Sequence, residues 1–505
     1  MTERLIAFLL LIVLAVSLIS CGGSDNTGVS ADSTTAADTT AQTETQTETK
    51  REEIKDNLPA DLDFKGQAVR IAYNDDGLAS SGSGVNEIEG LENAGDIVND
   101  AVFNRNIKVE ERLNIKFEVT AFRESNAKYM NNVRAPMMAG DDVYDIVDGP
   151  QYLQAIASID GLYYNLAKAD YLDYDQPWWQ DAYMDKMSVN TNERYMLMGD
   201  ISVNMISNLS AIFYNRQLCE NSFGDADKLY ETVLSGGWTV EIMRGLLKDV
   251  YRDVNSNAVV DPGDILGMGT TTSSPTEHFI YCMGMQNTSR DKDGYPVLVA
   301  DQTRNVKIFE TLYNLFYESD GVYVATNSDE INTVLPTEFI GGNILLFPAR
   351  LSYAGKFRDM ENEYGIITHP KLDETQENYL TLVHDAANAF AIPLSCPDIA
   401  APCAALEAMC AENYRTVTPA YFEVALKVKY TRDTMSAQII DMIRDGATSD
   451  FMYINNYVFS DSKLGIISRT LMGAKNRDYM SAYDAMKTAL ETKLDQLIEA
   501  NKSAG

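Results

Sequence analysis

Regular alternation of apolar and polar positions begins near Phe64. Val69, Ile71 and Tyr73 share one face of an extended segment, and Asn74, Asp75, Asp76 and Gly77 close it as a turn. From Asp96 the period lengthens, and Ile97, Val98, Ala101, Val102, Val109 and Leu113 gather on one side of a helix. Ile115, Phe117 and Val119 restore the alternation of a second strand over 115–120. A further helical stretch ends near Gly140, and Tyr144, Asp145, Ile146 and Val147 read as a third, buried strand. Strand, helix, strand, helix, strand at this spacing predicts an α/β layer with a parallel sheet. Ligands of such sheets gather beyond the carboxyl ends of the strands, which here carry Asn74, Asp75, Asp76, Asp148 and Gln151.

The rest of the chain reads as mostly helical with isolated strands at 211–214, 343–347, 364–367 and 389–392. Helical periodicity is plain at 240–250, 305–317, 403–413 and 484–500. In the last of these Met486, Leu490, Leu494 and Leu497 form one apolar stripe, a pattern that predicts core packing. No repeat recurs at solenoid periods.

The first fifty residues follow different rules. An uncharged apolar stretch runs from Leu5 to Ser20 after Arg4, shorter than the roughly 20 residues that span a bilayer. It ends in Leu18, Ile19, Ser20, Cys21, Gly22 and Gly23, which looks like a bacterial lipobox, so residues 1–20 read as a lipoprotein signal peptide and Cys21 as the acylated anchor. No later apolar run is as long, and no transmembrane helix is expected after cleavage. Residues 21–63 read as a disordered Thr/Ser/acidic tether, because their first two thirds hold almost nothing apolar to offset the entropy of ordering. Fully extended, thirty such residues reach roughly 100 Å. The expected location is the extracellular face of the cell membrane.

Composition narrows the partners. Hydrophobic residues at 45% and charged residues at 23% are ordinary for a globular chain. Asp and Glu total 74 against 41 Lys and Arg, a formal net charge of −33 that argues against nucleic acid and against adsorption to anionic lipid. With Cys21 assigned to the anchor, Cys219, Cys282, Cys396, Cys403 and Cys410 remain, an odd number without CxxC spacing, and they read as small buried hydrophobes.

Several segments together resemble the extracellular solute-binding proteins of bacterial ABC importers, family 1, the sugar-binding group. They are DIVNDAVFNRN at 96–106 running into VEERLNIKF at 109–117, QPWW at 176–179, AIFYN at 211–215, GWT at 237–239, FIGGNILLF at 339–347 and YGIITHPK at 364–371. The resemblance implies an α/β, two-lobed periplasmic-binding-protein-like fold with a hinge and an interlobe cleft. It implies a first lobe of residues 64–208 plus 376–425 and a second of 209–375 plus 426–500. It further implies a monomeric, non-enzymatic receptor for a carbohydrate or oligosaccharide, with ABC permease subunits as partners. Closure around a ligand requires contacts to both lobes.

Sugars offer C–H faces to aromatic rings and hydroxyls to carboxylates, amides and Arg. On that chemistry the candidate ligand residues are Asn74, Asp75 and Asp148 at the strand ends and the adjacent pair Trp178 and Trp179. Asp200 and Asp385 flank the crossovers the resemblance implies, and Arg350 and Tyr353 follow a strand that returns to the cleft in that family. Turn capping or core packing is the plain alternative for each, and Trp238 is assigned to the core. A secreted hydrolase with paired carboxylates is the main rival class, and a receptor for peptide or another polar solute the rival within the class. His278, His369 and His384 share no metal-ligand spacing and read as surface or capping residues.

One further signal is local. Asp253, Asn255, Asn257, Asp261 and Asp264 place oxygen side chains at loop positions 1, 3, 5, 9 and 12, with the Val259 carbonyl at 7. That spacing resembles an EF-hand-like calcium loop and predicts a structural Ca²⁺. Ala258 replaces the usual Gly at position 6, and Asp264 replaces the bidentate Glu at 12, as in dockerin-type loops.

Overall fold

The computed structural model describes residues 51–75, 86–90, 97–327, 329–357, 360–422, 434–460 and 463–504. The signal segment 1–20, Cys21, the tether through residue 50, and Asp76 and Gly77 of the first turn lie outside the described residues.

The chain first forms β1 (Gln67–Asn74), the helix Ile97–Leu113, β2 (Ile115–Phe122), the helix Asn126–Ala139 and β3 (Ile146–Pro150). β1 is parallel to both of its neighbours, with Gln67 opposite Ile115 and Ile71 opposite Ile146. Val69, Ile71, Ala72 and Tyr73 are all buried, because helices cover both faces of a parallel sheet. Val98, Val102, Val109 and Leu113 supply the buried face of the first helix. Gly140 ends the second at φ 77, a left-handed conformation that costs glycine nothing, and its N–H caps the Met137 carbonyl.

A second sheet follows from β4 (Ser210–Asn215) and β5 (Leu266–Thr271). A hairpin, β6 (Thr288–Arg290) and β7 (Pro296–Leu298), projects before β8 (Val322–Ala325), β9 (Ile344–Arg350) and β10 (Tyr364–Ile367) complete the sheet in the order β10-β4-β9-β5-β8. The chain then passes through β11 (Thr381–Leu382) into β12 (Asn388–Ala391), which joins the first sheet in the order β12-β3-β1-β2. β12 is antiparallel to β3, and β4 is antiparallel to β9. In each sheet, therefore, the strand by which the chain arrives from the other lobe runs against the strand beside it.

The passages between the two lobes lie side by side. Leu209 and Val383 form an antiparallel bridge, and the His384 N–H donates to the Asn208 carbonyl at 3.0 Å. On the other side of this strap β11 pairs in parallel with β13 (Ala447–Thr448), and the Val383 N–H reaches the Thr448 carbonyl at 3.1 Å. Backbone hydrogen bonds between short crossing segments join the lobes here, the kind of connection at which hinged lobes move.

Two boundaries differ from the sequence expectation. The packed region includes residues 51–63: Leu58 is buried in the core, and the Asp56 carboxylate pairs with Arg112 at 2.6 Å. Polar composition hid this, because a few scattered apolar side chains, Ile54, Leu58 and Leu62, and the pairing of Asp56 with Arg112 and Arg415 hold the segment down. The return to the first lobe comes at β12 rather than near 376, since the Gln376 amide N–H bonds the Cys282 carbonyl of the second lobe. After β13 the chain follows the hinge, and the short helix Phe451–Ile454 touches the first-lobe helices Gln151–Ile159 and Asp181–Met187. The helix Tyr479–Ala504 then packs on Thr303–Tyr317, with the Tyr479 and Phe309 ring centroids 5.7 Å apart, and it buries Leu490, Leu494 and Leu497. The five described cysteines are free and buried, and among the described residues no helix is long and apolar enough to cross a membrane.

Candidate functional site

A cavity of about 500 Å³ opens where both lobes meet the hinge. The first lobe contributes Tyr152, one residue into the helix that follows β3, and the second contributes Ser274, which begins the helix after β5. His384, Asp385 and Ala386 of the hinge form its floor. Asn456, Tyr457, Ser460, Lys463, Ile466 and Arg469 close it from the C-terminal segment. Both lobe contributions lie just past the carboxyl ends of parallel strands, where the crossing helices leave room.

Hydrogen bonds fix most of this wall. Gln151 holds the hinge, its side-chain N–H donating to the His384 carbonyl at 3.0 Å. His384 Nδ1 accepts from the Ala386 N–H at 3.1 Å, which leaves the proton on Nε2 to be donated to Ser274 Oγ, also at 3.1 Å. Burial pushes this imidazole down to about 4, so it is neutral near pH 7. Asp385 receives the Asn456 side-chain N–H at 2.9 Å, and its own N–H donates to the Tyr453 hydroxyl. Arg469 Nε donates to the buried Glu277 at 2.7 Å, while burial pushes that carboxyl up to about 7. Tyr152 and Tyr457 stand with ring centroids 4.6 Å apart, and 52% of Tyr457 is exposed.

This wall can present an aromatic pair to a C–H face, and amide, hydroxyl and carboxylate oxygens to ligand hydroxyls. Among the described residues Asp385 is the one carboxylate lining it.

Of the ligand residues expected from sequence, Asp385 alone lines the cavity. Arg350 lies next to it, donating to Asn208 Oδ1 at 2.8 Å within the hinge strap. Tyr353 packs instead on Phe347 and Phe357, with Lys356 Nζ 4.4 Å above its ring. Asn74 and Asp75 do face away from β1, but they tie the loop after β2: the Asn74 amide bonds Glu124 and Asn126, and Asp75 pairs with Arg123. Asp200 pairs with Arg444 at 2.6 Å. Trp178 and Trp179 are buried in the first lobe and donate both indole N–H groups to Glu407, so no ring face is open to a ligand.

Asp148 is also buried, beside Glu87. The Asn388 side-chain N–H bridges the two, and Glu87 accepts the Asn204 N–H at 2.7 Å. Burial raises both carboxyls, and the neighbouring Glu87 raises Asp148 further. The histidines correct the sequence reading as well. His278 and His369 are buried, and His278 lies 5.7 Å from His369 and 6.2 Å from His384 between ring centroids.

The residues that sequence reading missed come mostly from 456–460 and 463–469, which follow no strand of either main sheet. Tyr152 was within reach, since it follows Gln151 at the end of the third strand.

The 253–264 loop folds around its own polar groups. Asp253 accepts the N–H groups of Asn257 and Ala258, Asp264 is fully buried and accepts the Val254 N–H, and Ser256 and Ala258 take left-handed φ of 58 and 60. The Asn255 and Asn257 amide N–H groups point at Asp261. Among the described residues no group of three His, Cys, Asp or Glu side chains converges as a metal site. The Oδ1 atoms of Asn255 and Asn257 accept the N–H groups of Asn257 and Val259 at 3.0 and 2.7 Å.

No protein-family model matches the chain, and no curated protein matches it. Solved structures do. A sugar transporter from Rhizobium etli in an open conformation matches with a TM-score of 0.54 at 11% identity, over 86% of this chain and 99% of that one. UgpB from Mycobacterium tuberculosis, in complex with glycerophosphocholine, matches with 0.52 at 14% identity, over 82% and 98%. A maltose/maltodextrin-binding domain, MalE, from Bdellovibrio bacteriovorus bound to maltotriose matches with 0.50 at 14% identity, over 86% and 100%. The chain thus has the two-lobed α/β fold of these binding proteins.

Proposed function

We propose that this chain is a solute receptor of an ABC importer, which captures a carbohydrate or oligosaccharide between its lobes and delivers it unchanged to permease subunits. The carrying observation is the cavity itself: its wall draws on the first lobe at Tyr152, the second at Ser274 and the hinge at Asp385. A ligand touching all three binds the closed arrangement better than the open one, and that difference in affinity is what a permease needs to sense. The fold shared with the maltotriose and glycerophosphocholine binders supports the same reading. A hydrolase would call for a second carboxylate about 5 to 10 Å across the cleft from the first.

Calorimetry against a glycan library, with product analysis of each bound mixture, tests the proposal. Binding without turnover is the expected result; released product would assign an enzyme instead. Asp385→Asn is expected to weaken binding about tenfold, as the loss of one charge-assisted hydrogen bond.

The location belongs to the same reading. Acylation at Cys21 would hold the receptor at the outer face of the cell membrane, on a tether ending where Asp56 and Leu58 begin the packed region. Cys21→Ser should release the chain from the membrane fraction. We also propose a structural Ca²⁺ in the 253–264 loop, supported by the oxygen spacing and the inward-facing Asp264.

A further inference from the structure

The chain carries 74 acidic residues against 41 basic ones, so an average patch of its surface is negative. The cavity reverses that balance. Among the described residues Lys463 and Arg469 line it against Asp385 as the one carboxylate. Asp385 is already engaged by Asn456, and His384 adds no charge because its Nδ1 is an acceptor.

Arg469 is paired with one acid on its inner side only, and Lys463 with none among the described residues. Lys463 is exposed and has no carboxylate within ion-pair distance among the described residues. Arg469 uses Nε on Glu277, while its two terminal nitrogens carry no hydrogen bond to the described protein groups. Arg350 adds a third positive charge in the hinge strap, where it is bound to the neutral Asn208 rather than to an acid. A guanidinium fixed through Nε presents its remaining N–H pair in one plane, the geometry that takes a carboxylate, sulfate or phosphate with two parallel bonds. A neutral sugar would leave the Lys463 ammonium without a counter-charge and the terminal N–H pair of Arg469 without a charged acceptor as the closing lobes exclude water.

We infer that the solute is an acidic saccharide: its anionic group meets Arg469 and Lys463, its ring face meets the Tyr152–Tyr457 pair, and its hydroxyls meet Asp385 and Asn456. This rests on the receptor reading above and narrows its substrate class.

The test titrates the purified full-length chain calorimetrically with short oligouronates, their methyl esters, sulfated and phosphorylated sugars, and neutral oligosaccharides, at low and high salt. The expected result is one acid bound at least about tenfold more tightly than its ester or neutral counterpart, with an affinity that falls as salt rises. Which acid binds tells carboxylate, sulfate and phosphate apart. Lys463→Asn removes the charge with a residue that tolerates the left-handed φ of 48 at this position, and should cost the acid about tenfold. Arg469→Gln should do the same, with a melting curve to confirm that Glu277 still packs. Equal affinity for a neutral sugar and its acid, or no effect of either variant on the acid, overturns the inference and leaves the receptor standing. Failure of every saccharide, acidic or neutral, overturns the receptor reading as well.

Discussion

Arg290, at the end of β6 in the second lobe, donates to the main-chain carbonyl of Ser188 in the first lobe at 2.8 Å. The same guanidinium also reaches the carbonyls of Asp185 and Val189, so it caps the end of the helix Asp181–Met187. A cation is favoured there, because the last carbonyls of a helix lack partners and carry partial negative charge. The contact joins the lobes away from the residues that line the cavity. Arg290→Ala should lower stability by about 2 kcal/mol and the melting midpoint by a few degrees, with the far-ultraviolet circular dichroism unchanged.

Glu407 separates core from cleft. It accepts the Trp178 N–H at 3.1 Å, the Trp179 N–H at 2.8 Å and the Asp173 N–H at 3.3 Å. Glu407→Ala leaves these donors buried and unpaired, for a loss of about 2 to 4 kcal/mol in urea unfolding. Ligand affinity of the folded variant should match the parent. A large affinity loss at unchanged stability would return the tryptophans to the binding site.

Acid should weaken the fold through the histidines. His369 is held at about 3 and His384 at about 4 by burial, and His278 well below its usual value, whereas the unfolded chain takes up these protons near 6.5. Their contribution is therefore complete above about 6.5 and is lost as pH falls toward about 4. Glu277 and Glu407, both pushed up to about 7 by burial, work the other way: what they contribute is fullest below about 4.5 and disappears as pH rises through about 7. Urea midpoints measured against pH should show His278→Phe with a shallower acid limb than the parent. An unchanged slope would mean that His278 is protonated in the folded state.

Tyr457 is an exposed aromatic that lines the cavity against Tyr152. Tyr457→Ala should leave the melting midpoint within a degree or two and weaken saccharide binding about tenfold, as the loss of one stacking face. Unchanged affinity would remove the aromatic pair from the ligand contact.

Millimolar Ca²⁺ should raise the melting midpoint of the parent chain, and chelator should reverse the shift. Asp253→Asn and Asp261→Asn should each abolish the response. A midpoint indifferent to Ca²⁺ would leave the 253–264 loop as a self-bonded turn.

Most strands of the two main sheets were legible because each is short, apolar and bounded by turn residues; β5, with Gly267 and Gly269 in its run, and β8 were not read. Val69, Ile71 and Tyr73 announce β1, and Gly140 announces the stop before β3. Asp148 was legible as a strand-end residue but not as a buried one, because its burial depends on Glu87 and Asn388, which lie 61 and 240 positions away in the chain. The tryptophans misled for the same reason: adjacency to polar residues in QPWW says nothing about a carboxylate at 407.

Local order along the chain determined the α/β class, the succession of strands and helices, and the polar character of the amino-terminal segment, since periodicity and composition act over neighbouring residues. Tertiary structure alone decided which polar groups meet. The cavity joins Tyr152, Ser274, Asp385 and Arg469, residues from four separate stretches, and only the crossing of the chain at the hinge brings them within reach of one ligand.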